Sequence, residues 1–217
     1  MAYIDFLSDV HKKTTRDYVG RVNGYPKWEA AEKAKQWGYD YWDGDRRICY
    51  GGYHYDGRWK KVAERLRDHY QLKAGDKVLD VGCGKGFLVH DLCELGIDAC
   101  GMDVSSYAIE HAKEEVRSKV QLGHAKELPF ADKEFELVIS INTLHNLYNY
   151  ELSAALQEME RVAKRKYLCV ESYRDEKEKQ NLLYWQVTCE AFCKPLEWEW
   201  WFQQTRYTGD YSFIYFE

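Results

Sequence analysis

The stretch VLDVGCGKG, residues 78–86, constrains this chain more than any other, because it sets a buried strand, a glycine loop and the start of an amphipathic helix in immediate succession. Val78, Leu79 and Val81 form a short apolar run, and Phe87, Leu88, Leu92 and Leu95 then recur at roughly helical spacing. Between them, Gly82, Gly84 and Gly86 permit backbone angles and close ligand approach that a Cβ would resist. The helix that follows offers unpaired N–H groups at its first turn, and Asp80 gives the loop a fixed carboxylate. Such a unit suits a nucleoside cofactor. A dinucleotide loop would read G-x-G-x-x-G, but counting from Gly82 puts Phe87 where the third glycine belongs.

The form present, E/D-x-G-x-G-x-G, resembles motif I of class I S-adenosylmethionine (SAM) dependent methyltransferases. In that family the loop wraps the amino-acid part of SAM, so the resemblance implies contacts from Asp80, Gly82, Cys83, Gly84 and Gly86. Asp103, in ACGMDVS about twenty residues further on and followed by Val104, is placed to accept the ribose hydroxyl protons. LPFADKEFELVISINTLHNL, residues 128–147, is similar to the family's third-to-fourth strand segment, and the likeness covers residues 77–169. One departure stands out. Where family members usually carry G-D-A before Leu-Pro-Phe, this chain has Gly123, His124 and Ala125. A neutral His124 imidazole can still accept from the adenine amino group. With Asn142, these residues complete the implied cofactor set, whose product is S-adenosylhomocysteine. The flanking segments resemble a narrower bacterial group of SAM methyltransferases, some associated with surface-polysaccharide genes. That resemblance implies a small polar acceptor such as a sugar, a sugar nucleotide or a phosphorylated metabolite.

Strands are predicted near residues 77–81, 98–103, 120–123, 137–141, 167–171 and 211–216, alternating with helices. The alternation predicts an α/β, Rossmann-like class I methyltransferase fold: a mostly parallel central sheet, helices on both faces, and ligands at the carboxyl ends of the strands. Ahead of it stands an N-terminal helical cap. Residues up to about 23 and 27–37 read as helices broken at Pro26. Residues 39–59, rich in Gly, Asp and aromatics, read as a loop, and 58–70 as a helix. Charged stretches at 164–166 and 174–179 read as solvated helix ends or turns. The expectation is one structural domain with a cap over 1–60 and a core over 61–217; 217 residues, 45% of them hydrophobic, suffice for a single core. The N-terminus lacks the apolar run of a signal peptide, and no window approaches the roughly twenty apolar residues of a membrane span. A cytoplasmic protein is expected. Seven cysteines without a CxxC pair argue against a disulfide framework. Cys189 and Cys193 sit one helical turn apart without an accompanying His pair, so no metal is expected. A net charge of −5 argues against a broad nucleic-acid surface.

Methyl transfer is an in-line displacement, with donor and acceptor held about 3 to 3.5 Å apart. A neutral hydroxyl acceptor must also lose a proton. His145, just past the fourth strand, is the candidate base, with packing around the cofactor as its alternative. Asn142 is placed to orient an acceptor and Tyr148 to close the pocket. Tyr50, Tyr53, His54, Tyr55, Arg58 and Glu171 are the candidate acceptor contacts. The aromatic segment is either a lid hinged at Gly51 and Gly52 or a packed Ω-loop. Two other readings stay open. One is RNA or protein methylation, with Arg16, Arg21, Arg46, Arg47 and Arg58 on phosphate, although the fourth strand ends in Asn142-Thr143-Leu144-His145 rather than Asn/Asp-Pro-Pro-Tyr/Phe. The other is a catalytically silent SAM-binding subunit that stabilises a partner. Oligomeric state is left open.

Overall fold

In the computed structural model, which describes residues 1–11 and 16–217, the apolar run at 78–81 is a central strand of a six-stranded sheet. The strands are β1 (Lys77–Val81), β2 (Asp98–Asp103), β3 (Val120–Leu122), β4 (Phe135–Ile141), β5 (Ala163–Glu171) and β6 (Asp210–Ile214). Their order is β3-β2-β1-β4-β5-β6, and all five pairings are parallel. Val78 lies opposite Ala99 on β2 and Leu137 on β4. Parallel strands covered on both faces need apolar residues on both. Accordingly Val78, Leu137 and Ile139 enter one buried cluster, while Leu79, Val81 and Val138 enter another.

The helices are α1 (Ser8–His11), α2 (Tyr18–Gly24), α3 (Lys27–Ala34), α4 (Tyr39–Trp42), α5 (Lys60–Tyr70), α6 (Phe87–Glu94), α7 (Ser106–Glu110), α8 (Asn149–Val162), α9 (Glu176–Trp185) and α10 (Pro195–Thr205). In α8 the buried residues Leu152, Ala155, Leu156, Met159 and Val162 recur every three or four positions, so one stripe faces the sheet. Proline opens α10, where its missing N–H breaks no helical bond. Helices α5 and α6 pack together on one face of the sheet, with α8 and α10 on the other.

Several boundaries differ from expectation. The helix predicted over 27–37 stops at Ala34, and Trp37 turns the chain with φ 54°. The segment at 39–59 contains α4, and the next helix begins at Lys60. The helix predicted up to residue 23 corresponds to α1 and α2, with residues 12–15 outside the described ones. β5 starts at Ala163, so the charged stretch 164–166 lies in a strand. There Lys166 is buried and its ammonium donates to Glu160 at 2.7 Å, because a long methylene stem fits an apolar strand when its tip finds a carboxylate. β6 ends at Ile214 rather than 216, and β3 at Leu122 rather than 123. Beyond β6 the first residues run alongside it: the Ile4 N–H donates to the Tyr211 carbonyl at 2.8 Å, and the Tyr211 N–H donates to that of Ala2 at 3.0 Å.

Between β1 and β4 the strand order reverses, which opens a crevice at their carboxyl ends. The cap lies there. Its buried residues Ala30, Ala34, Tyr41, Trp42 and Ile48 pack with Ala108 of α7 and with Val187.

Candidate active site

The crevice widens into a cavity of about 750 Å³ that reaches from the glycine loop to the cap. Gly82 has φ 84°, and a Cβ there would meet Thr143 Oγ1 at 2.1 Å; at Gly84, φ 54°, it would meet the Trp42 ring at 2.8 Å. Only glycine lets the chain pass there. The loop is stitched to β2, since the Gly82 and Cys83 N–H groups donate to the Met102 carbonyl at 2.7 and 3.1 Å. Asp103 closes the arrangement. Its carboxylate accepts from the Gly84 N–H and the Ser105 N–H, each at 2.8 Å, while burial pushes its pKa above the ordinary value.

Most of the residues expected around a cofactor meet on this wall: Gly82, Cys83, Gly84, Asp103, Val104, His124, Ala125 and Asn142. Two do not. Asp80 is buried outside the cavity wall, and burial, then the neighbouring Asp103 charge, pushes it up to about 7. Gly86 turns the chain into α6 with φ 73° and packs beside Val116 and Val120, because its place at the helix start faces β3 rather than the cavity. Burial also lowers the His124 pKa, which favours the neutral, acceptor-capable ring. Asn142 adopts φ 58°, a conformation asparagine tolerates better than most side chains. Its buried Oδ1 has no hydrogen-bond partner.

Tyr50, Tyr53, His54, Arg58, Tyr148 and Glu171 line the rest of the cavity. Tyr55 does not. Its hydroxyl donates to Asp91 at 2.5 Å and its ring stands edge-on to Phe87, so it packs against α6. The exposed Tyr148 stacks on Tyr150 at the rim, with ring centroids 5.8 Å apart.

His145 is 1% exposed, and both ring nitrogens face the protein's own groups. Nδ1 accepts a long bond, 3.5 Å, from the Glu171 N–H, and Nε2 lies 3.4 Å from Glu171 Oε2. His145 lines the cavity, but burial pushes its imidazole down to about 3, so at neutral pH it is uncharged and too weakly basic to suit the expected base. Glu171 is 3% exposed. Burial pushes its carboxyl up to about 8, with Gln186 as a hydrogen-bond donor to Oε1.

The cap is fastened by contacts that no sequence motif marks. Lys85, inside the glycine loop and buried, donates to both oxygens of Asp43 at 2.8 and 2.6 Å and to the Tyr53 carbonyl at 3.0 Å. Asp43 also accepts from the Tyr53 N–H at 3.0 Å and the Tyr107 hydroxyl at 2.9 Å. The Trp42 indole N–H donates to Ser105 Oγ at 2.9 Å, and the ring stacks on Tyr50 with an interplanar angle of 5°. The one available signal was a lysine amid loop glycines. Residues 186–194, with Cys189 and Cys193, are irregular rather than helical. Among the described residues no three His, Cys, Asp or Glu gather as a metal-ligand set, and no helix is long and apolar enough to cross a membrane.

Residues 79–170 match the family described as "Methyltransferase domain". A protein of Methanocaldococcus jannaschii is 34% identical over 110 residues, covering 51% of this chain and 41% of that protein. The demethylmenaquinone methyltransferase of Corynebacterium glutamicum (strain R) is 35% identical over 109 residues, covering 50% of this chain and 45% of that enzyme. This chain therefore spans less than half the length of these curated relatives. The solved structure of the YcgJ protein from Bacillus subtilis superposes with a TM-score of 0.55 at 20% identity, covering 66% of each chain, a likeness of fold.

Proposed function

We propose that this chain, whose core is a class I SAM-dependent methyltransferase domain, transfers a methyl group from SAM to a small polar acceptor bound beneath the cap. The observation that carries the reading is the glycine loop, where a Cβ at Gly82 or Gly84 would strike Thr143 or Trp42, lining one cavity together with the fixed Asp103 carboxylate. Those residues fit the amino-acid and ribose portions of SAM, with His124 and Ala125 beside the adenine. When bound, SAM supplies a methyl group on a positively charged sulfur.

The chain's own contribution is positioning and exclusion of water. Tyr50 and Tyr53 roof the cavity, and alignment of the reacting atoms is worth roughly 7 to 11 kcal/mol of barrier in well-oriented systems. A hydroxyl acceptor gives up its proton to Glu171 Oε2, a buried cavity-lining atom with no hydrogen-bond partner. His145 lies beside that carboxyl, its Nε2 3.4 Å from Oε2 and its Nδ1 accepting from the Glu171 N–H, and is assigned a positioning role instead of the base role expected for it. With burial raising this carboxyl to about 8, the ionised fraction is the proton acceptor, so transfer to it grows as pH rises toward 8.

Calorimetry with SAM and S-adenosylhomocysteine tests the cofactor reading. Both should bind, and Asp103→Ala should weaken both by about 1 to 3 kcal/mol, the cost of an unmet buried hydrogen bond. Saturable NAD binding without SAM binding would overturn it. Methyl transfer from labelled SAM by the isolated chain separates the enzyme from a silent partner subunit, and turnover only with RNA or peptide would move the acceptor to macromolecules.

A further inference from the structure

Part of the cavity wall is strongly cationic. Arg16, Arg21 and Arg46 line it together with Trp185. Their guanidinium carbons lie 5.3, 4.8 and 5.4 Å from the centroid of that single indole ring. Three like charges on one ring repel one another; the Arg21 guanidinium, lowered first by burial, is lowered further by Arg46. Something built this way carries a cost that a bound anion would relieve.

Backbone carbonyls fix the cluster. Arg21 donates to the carbonyls of Trp185 at 2.8 Å, Ile48 at 3.1 Å and Arg46 at 3.4 Å, and Arg46 donates to that of Cys49. A guanidinium has five N–H donors, so both keep donors in hand. Among the described residues no carboxylate forms an ion pair with Arg21 or Arg46, whereas Arg47 and Arg58 are held by Asp45 and Asp56 at 2.5 and 2.6 Å. Of the carboxyls lining the same cavity, Glu190 and Asp56 are paired with Lys35 and Arg58, and Glu171 is 3% exposed with an oxygen that has no hydrogen-bond partner. Burial favours its neutral form, so it compensates little of the cationic charge.

We infer that the cluster of Arg16, Arg21 and Arg46 around Trp185 is a subsite for a phosphate group of the acceptor, an inference that rests on the methyltransferase reading for the word acceptor. A phosphate monoester brings up to two negative charges and three acceptor oxygens to the donors left on Arg21 and Arg46, with the Arg16 charge beside them, a closer match than a single carboxylate. Held there, the phosphate anchors the molecule on the wall of the cavity that Glu171 and the glycine loop also line.

The test uses the full chain labelled with 5-fluorotryptophan, its Trp185 and Trp42 signals assigned by Trp185→Phe and Trp42→Phe. Inorganic phosphate should move the Trp185 signal saturably, acetate at equal ionic strength should not, and Arg16→Gln or Arg46→Gln should weaken the phosphate response at least tenfold. S-adenosylhomocysteine should move the Trp42 signal equally in all three proteins. A Trp185 signal indifferent to phosphate, or equally responsive in the arginine variants, would overturn the subsite. An equal response to acetate would also overturn it, in favour of a carboxylate site. An unmoved Trp42 signal would instead strike the cofactor reading, and the phosphate response is read independently of it.

Discussion

Replacing Lys85 with methionine keeps most of the stem and removes the ammonium that joins the glycine loop to the cap. In the native protein that ammonium makes three bonds of 2.6 to 3.0 Å, and the two side chains are 6% and 16% exposed. Removing one partner of a buried pair costs about 3 to 5 kcal/mol. Asp43 keeps the Tyr53 N–H, the Tyr107 hydroxyl and some solvent, so the low end, near 3 kcal/mol, is expected. At about 2 to 4 °C per kcal/mol for a chain of this size, Tm should fall by roughly 6 to 12 °C. Burial raises the Asp43 pKa, but bonds from Lys85, Tyr53 and Tyr107 more than offset it and leave it below the ordinary value. A depressed carboxylate stabilises the fold above its unfolded pKa and loses that contribution as pH falls through the folded value. The gap between wild type and Lys85→Met should therefore hold near neutrality and narrow in acid. Hydrogen exchange across residues 41–53 should be slow in the ligand-free protein and faster in the variant. Chemical and thermal denaturation of Lys85→Met, Asp43→Asn and the double variant would decide the matter: a Lys85→Met loss under 1 kcal/mol, or a cycle with no coupling, would refute the assignment.

Glu171→Gln should lower turnover about 10²- to 10⁴-fold while leaving S-adenosylhomocysteine affinity intact, which steady-state kinetics and calorimetry would check. Because folding raises this carboxyl from 4.5 to about 8, the wild type's proton-linked stability is full in acid and lost as pH rises across that window. The Tm of Glu171→Gln relative to wild type should consequently climb between pH 5 and 8, and a flat difference would count against the raised carboxyl. Gly82→Ala places a Cβ 2.1 Å from Thr143 at a positive φ, so binding of S-adenosylhomocysteine should be lost or the chain should fail to fold; near-native affinity would contradict the loop geometry. Leu156→Ala, in the fully buried stripe of α8, should cost about 2 to 5 kcal/mol in urea denaturation with cofactor affinity unchanged.

What the sequence disclosed was what lies close together in it. The strand, glycine loop and helix at 78–94 are contiguous, so residue order alone places Gly82, Gly84 and, after one more strand, Asp103. Alternation likewise places the strands, although charge misled at β5, where Arg165 and Lys166 find partners in Glu136 and Glu160 within the fold. His145 and Tyr55 show the limit of reading chemistry from residue type. Whether Tyr55 reaches the cavity, and how basic the His145 ring is once buried beside Glu171, depends on α6, β5 and the chain after α9, which local spacing does not encode. Lys85 and Asp43 are far apart in sequence, as are Trp185 and the three arginines gathered on it. Such constellations exist only after folding.

The pairing of residues 2–4 with Tyr211 bears on association between molecules. An outer strand with unsatisfied N–H and C=O groups is a template for another chain. β6 carries the apolar side chains of Tyr211, Phe213 and Ile214, and at Tyr211 its outer side is bonded to Ala2 and Ile4. At the opposite margin β3 is only three residues long and leaves little to template. Intermolecular strand addition is thus discouraged at both margins, at one by the segment bonded at Tyr211 and at the other by brevity. A change that frees residues 2–4 from β6 would first surface as self-association rather than as lost catalysis.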